Sequence, residues 1–158
     1  MATSQVALDK LIEVLEIGSD STSAYYCISR NAFIMIDDEA RHWAEDGLDV
    51  RDAPQWMKVQ IDQVKAIEED FNKDYYRLPN KFEIDEKDMM RRFAHRISNV
   101  ATSRDVMQSI KGRDGYRKFR KVITDHDLLD QWYGFRKQCF KEMAISWCQR
   151  HGLDYSDR

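Results

Sequence analysis

The sequence predicts an α+β fold, a mostly helical single domain with an N-terminal helix and β-hairpin and a long C-terminal helix. Three observations lead there. A chain of 158 residues suits one domain, and at that length roughly 70% of the unfolded surface is buried on folding. Six Gly and two Pro are too few for a turn-dense all-β chain. Apolar residues recur at helical spacing through most of the sequence, and only two short runs near the N-terminus read as strands. Charged residues reach 34%, yet 42% apolar content with seven Phe, seven Tyr and four Trp argues against disorder.

The elements follow in order. Leu8, Leu11, Ile12 and Leu15 fall at i, i+3, i+4 and i+7, one apolar helical stripe, and Gly18 suits a left-handed cap at its end. The segment Ser19-Asp20-Ser21-Thr22-Ser23 breaks the period. Tyr25–Ile28 and Ala32–Ile36 then read as strands of a hairpin, since Asn31 between them tolerates positive φ. Two strands alone are marginal in water, so a helix must cover one face, and the Leu8–Leu15 stripe is the nearest candidate. Asp37 or Asp38 caps a short helix ended by Gly47. Asp52, ahead of Ala53-Pro54, reads as the N-cap of a helix with Met57, Ile61, Val64, Ile67 and Phe71 on one face, stopped before Pro79.

Phe82 and Ile84 alternate with charges in a short extended stretch. Asp85 caps a helix bearing Met89, Met90, Phe93, Ala94 and Ile97. Thr102 or Ser103 starts another with Val106, Met107 and Ile110, closed by Gly112. Tyr116, Phe119, Val122 and Ile123 mark a third. The last helix runs from about Asp127, its N-cap, to His151, with Trp132, Phe140, Met143, Ala144 and Trp147 stacked and Gly152 at its end. No linker divides the chain: residues 1–50 make the helix and hairpin part, residues 51–158 the helical part.

Several classes are set aside. The longest apolar runs span five residues, far short of the about 20 of a membrane helix. The start has no basic or apolar leader region, which predicts no secretory signal. Cys27, Cys139 and Cys148 are odd in number and form no CxxC pair, as expected of reduced thiols in a cytoplasmic protein. No GxGxxG, GxxxxGK[ST] or HExxH pattern occurs, so neither a nucleotide cofactor nor a metal is expected.

Net charge is −3 but unevenly placed: residues 1–100 hold 13 basic and 20 acidic residues, residues 101–158 hold 12 and 8. Lys111, Arg113, Arg117, Lys118, Arg120 and Lys121 put six cations in eleven residues with one acid, Asp114. Arg117, Arg120 and Lys121 share a helix side opposite Phe119 and Ile123. Two readings fit: a surface for an anion, nucleic acid or acidic partner, or a solvated face balancing the acidic half. The acidic run Glu68-Glu69-Asp70, near a helix C-terminus, fits the second through tertiary pairing. Arg136 lies within the aromatic stripe, at i+4 from Trp132 and i−4 from Phe140, so a carboxylate from the acidic half is its expected partner. Asp125-His126-Asp127 alone resembles catalytic chemistry, but adjacent turn residues point apart and Asp127 is taken as a cap.

Three C-terminal segments carry a family resemblance: Gly112-Arg113-Asp114-Gly115-Tyr116-Arg117-Lys118-Phe119-Arg120, Gln131-Trp132-Tyr133-Gly134-Phe135-Arg136, and Ala144-Ile145-Ser146-Trp147-Cys148-Gln149-Arg150-His151-Gly152. In order and spacing they resemble GRGAFRRFK, WYxFR and AIxWCxxxGI of the bacterial uncharacterised protein family 0158, with Asp114-Gly115-Tyr116 standing where that family has Gly-Ala-Phe. Leu8–Ile17, the tyrosine-rich hairpin, Trp56 with its helix and Leu78–Ile84 look similar too. The resemblance implies a shared fold and a bacterial cytoplasmic setting, and it transfers no site and no activity.

The expectation is therefore a non-enzymatic protein-interaction module, with nucleic-acid binding through residues 111–121 as the alternative. The candidate binding residues are Lys111, Arg113, Arg117, Lys118, Arg120, Lys121 and Arg136. No membrane association is expected.

Overall fold

The computed structural model of the chain describes residues 5–70 and 73–157. Its elements are β1 (Val6–Ala7), α1 (Leu8–Ile17), β2 (Thr22–Cys27), β3 (Ala32–Asp37), α2 (Asp38–Glu45), a 3-10 turn (Val50–Asp52), α3 (Gln55–Glu68), β4 (Tyr75–Arg77), α4 (Glu86–Arg96), α5 (Val100–Ser109), α6 (Gly115–Asp125), α7 (Leu129–Arg150) and β5 (Tyr155–Ser156). Helix dominates, as the sequence predicts for a mostly helical α+β fold. The elements group into two compact units, residues 1–83 with 144–158 and residues 84–143.

In the first unit, Leu8, Leu11, Ile12 and Leu15 are all buried. Gly18 has φ −58 and ψ 148, so it is no left-handed cap. Instead the chain turns through hydroxyls, Ser19 N donating to Thr22 Oγ1 at 3.1 Å. The hairpin forms as its pattern predicts: Tyr25 pairs with Ile34 and Cys27 with Ala32, and Asn31 closes the turn at φ 48. Tyr25, Cys27, Ile34 and Ile36 share one face, and the cover there is Val64 and Ile67 of α3 with Ala44 of α2. The stripe nearest in sequence, that of α1, is not part of this cluster. On the other face Tyr26 lies 5.1 Å from Phe33 and 6.5 Å from Trp147, ring to ring.

A third strand, β4, joins this sheet in the order β3-β2-β4, where the sequence predicts only a helix stop. Side chains at its N-terminal end explain it. Asp70 accepts from Asp74 N (3.0 Å) and Tyr75 N (2.9 Å), which answers for one acid of the Glu68–Asp70 run without any basic partner. Asp74 in turn accepts from Ser29 N, Ser29 Oγ and Cys27 Sγ, fastening β4 to the hairpin turn. On the outer side of β4, Trp147 Nε1 donates to Arg77 O at 3.0 Å, so this edge is partly closed against a further strand. Residues 81–84 form a turn rather than an extended stretch, because Asn80 Oδ1 accepts from Glu83 N.

Asp37 caps α2 through Glu39 N, and Gly47 ends it at φ 67. Asp52 is not the cap of α3: it closes the 3-10 turn, which Asp49 caps, and α3 begins beyond Pro54. Met57, Ile61 and Val64 are its buried face, while Phe71 lies outside the described residues. A short parallel pairing of β1 with β5 joins residues 6–7 to 155–156.

The second unit is helical. Asp85 caps α4 through Asp88 N. Asn99, rather than Thr102 or Ser103, caps α5 through Thr102 N. Phe93, Phe119 and Trp132 form its centre, with ring centroids 4.8 Å apart for Phe119 and Trp132 and 5.5 Å for Phe93 and Trp132. Asp127 is also reassigned. At φ 57 it terminates α6: Asp127 N donates to Thr124 O and Leu128 N to Ile123 O, the paired bonds of a Schellman motif. An aspartate here fills the left-handed position usually held by glycine, and α7 starts only at Leu129.

Candidate functional site

The cationic segment is placed by the core beneath it. Phe119 and Ile123 are fully buried in the second unit, and the 3.6-residue period then turns Arg117, Arg120 and Lys121 outward. Gly112, at φ 92, makes the turn that leads into α6. Gly115 lets α6 start close against α5, since a Cβ there would press on the carbonyl oxygen of Ile110 with its carbon only 3.2 Å away. Lys111, Arg113, Arg117, Lys118, Arg120 and Lys121 are all exposed. Among the described residues none of the six makes an ion pair, so the pairing with acidic residues that the sequence allowed is not formed.

Arg136 behaves differently. It is half-buried, with Nη2 2.6 Å from Glu86 Oε1 and its guanidinium 4.6 Å from the centre of the Phe140 ring. The structural ion pair expected from its place in the stripe is present, so Arg136 is not grouped with the exposed cations. Charge also divides by unit: residues 84–143 hold 14 Lys and Arg against 9 Asp and Glu, the remainder 11 against 19. The six cations thus stand on a unit with a balance of +5, and the other carries −8.

The Asp125-His126-Asp127 triplet does not converge. His126 caps the end of α6 with Nε2 3.9 Å from Asp105 Oδ2, and Asp127 is committed to the helix stop. Burial raises the Cys139 thiol above its ordinary value and pushes Cys148 up to about 11, which keeps both protonated at neutral pH and inert as nucleophiles. Among the described residues no three of His, Cys, Asp and Glu are grouped to hold a metal ion.

Two features escape sequence reasoning. One is the Ser29–Cys27–Asp74 cluster, where the Ser29 hydroxyl foremost holds the Asp74 carboxyl below its ordinary value. The other is a groove of about 740 Å³ in the second unit, lined by Arg96, Ile97, Asn99, Gln131, Gly134 and Phe135 among others. Its sequence signal was a glycine in the interior of the longest helix.

Fold and surface together define a small, mostly helical α+β protein that displays a cationic face with no ion pair among the described residues. No helix among the described residues is long and apolar enough to cross a membrane. The chain belongs to the Uncharacterised protein family (UPF0158), whose model matches residues 52–158, a stretch that contains all three aromatic-basic motifs. No curated protein and no solved structure matches it significantly.

Proposed function

We propose that this is a non-enzymatic binding module of the bacterial cytoplasm, folding as one domain, that recognises an acidic surface of a partner protein. The contact residues are Lys111, Arg113, Arg117, Lys118, Arg120 and Lys121. The observation that carries the reading is that all six are exposed without a single ion pair among the described residues. A solvated face evolved only for solubility usually mixes both signs, whereas here cations outnumber acids six to one over eleven residues. Arg offers paired donors to carboxylates, and complementary charge chiefly speeds and orients association.

Nucleic acid is the second reading, favoured by the same unpaired cations and by Tyr116, 45% exposed among them. One fact ranks it lower. Arg117 and Lys121 are only about 6 Å apart along the helix axis, a short track for a phosphate backbone. The test is the double variant Arg117→Glu/Lys121→Glu. Its melting temperature should match the wild type, because exposed unpaired charges contribute little to stability. Chemical crosslinking in bacterial cells should capture an acidic protein with the wild type, unaffected by nuclease, and lose it in the variant. Tight gel-shift binding of RNA or DNA, with a log–log salt slope falling by roughly 0.7–0.9 for each cation removed, would instead establish the second reading.

A further inference from the structure

We propose that the groove bounded by α4, α5 and α7 and the end of α6 is a binding site for a small amphipathic anion, an apolar ring system bearing a carboxylate, sulfonate or phosphate. Gly134 is the observation that points there. It sits inside the 22-residue α7, where glycine disfavours helix relative to alanine. A Cβ at this position would meet nothing within 4 Å, so neither crowding nor backbone conformation calls for glycine. What its missing side chain does is leave the groove open. Gln131, Gly134, Phe135 and Gln138 fall at i, i+3, i+4 and i+7, a second stripe of α7 that lines this wall.

The volume, about 740 Å³, lies in the range of small-molecule sites. Its chemistry is one-sided. Among the described lining residues there is no Asp or Glu, while Arg96 brings a guanidinium that makes no ion pair with any described residue. That guanidinium lies 5.2 Å from the centre of the Phe135 ring, which restricts its orientation before any ligand arrives. A concave, partly apolar wall strengthens the field of an unpaired cation, so an anionic head belongs at Arg96. Ile97, Leu128 and Phe135 offer apolar surface for the body of the ligand. Two other depressions lack this character. The one beside Lys118 and Lys121 includes Asp105 and Asp125, and the one in the first unit mixes Lys73, Arg77 and Arg150 with Asp70 and Glu83.

Titration of the full chain with naphthalene-2-sulfonate, followed by NMR of backbone and side-chain amides, tests the site. Saturable one-to-one shifts should centre on Gln131, Gly134 and Gln138. Neutral 2-naphthylmethanol and methanesulfonate should each bind at least about tenfold more weakly. Arg96→Gln, a change at an exposed position, should lower affinity for the sulfonate about tenfold and leave that for the alcohol unchanged. Gly134→Leu should fill the groove and abolish binding of all three, with a melting temperature no lower than the wild type. Equal affinity for alcohol and sulfonate, retention of binding in both variants, or shifts centred elsewhere would each overturn the proposal.

Discussion

Trp132 and Trp147 are each only 1% exposed, yet their indole N–H groups meet different fates. Trp147 Nε1 donates to Arg77 O at 3.0 Å, whereas Trp132 Nε1 is buried with no partner among the described residues. Replacing each by Phe removes the same atoms, so the packing losses are comparable and the difference isolates the polar group. Trp147→Phe also loses a hydrogen bond contributing about 0.5–1.5 kcal/mol. Trp132→Phe removes an unsatisfied buried donor, which offsets about 1–3 kcal/mol of its packing loss. We therefore expect Trp147→Phe to be the more destabilising by about 3 kcal/mol. At about 2–4 °C per kcal/mol for a chain of this size, the melting temperatures should differ by about 6–12 °C. Urea unfolding followed by circular dichroism gives the free energies directly. If Trp132→Phe costs as much as Trp147→Phe, the reasoning about the two N–H groups fails.

Three further outcomes can be checked in the same assays. Gly115→Ala should destabilise by about 1–3 kcal/mol, because the added methyl meets the backbone of Ile110; a neutral result would show that α5 and α6 can separate at no cost. Asp127→Gly should raise stability by up to about 1 kcal/mol by easing the left-handed position, whereas a loss would mean that Asp127 acts as the N-cap of α7 after all. Burial, and secondarily the charge of Arg150, hold His151 below its ordinary 6.5, so the unfolded chain takes up the proton more readily than the folded one. His151 then contributes stability that is complete above 6.5 and declines as pH falls through that value; His151→Gln should flatten the melting temperature between pH 7.5 and 5.5, and an unchanged slope would contradict the assignment.

Much of the helical fold was legible because period and capping are local. Spacing alone picks out most of the buried faces of α1, α3 and α4, and Phe119 and Ile123 of α6, though Tyr116, placed on the same stripe, is 45% exposed; Asp37 and Asp85 cap where their side chains reach the second or third N–H. Asp52, Thr102 and Asp127 were misread for a common reason. Each was a plausible cap one to three residues from the true boundary, and competing turns at Asp49, Asn99 and Thr124 decided the matter. The cationic face was legible as residues but not as a surface, since sequence cannot show whether a charge has a partner across the fold.

By itself, the sequence determined the fold class, the hairpin, the aromatic stripe of α7 and the outward direction of Arg117, Arg120 and Lys121, all consequences of periodicities of 2 and 3.6 residues. Only the tertiary structure decided the rest. It made β4 a strand, because Asp70 and Asp74 accept from backbone, hydroxyl and thiol groups up to 47 residues away. It left Lys111, Arg113, Arg117, Lys118, Arg120 and Lys121 without an ion pair among the described residues while giving Arg136 its glutamate, and it opened a groove at Gly134. These depend on distances between residues remote in the chain, and no local pattern encodes such distances.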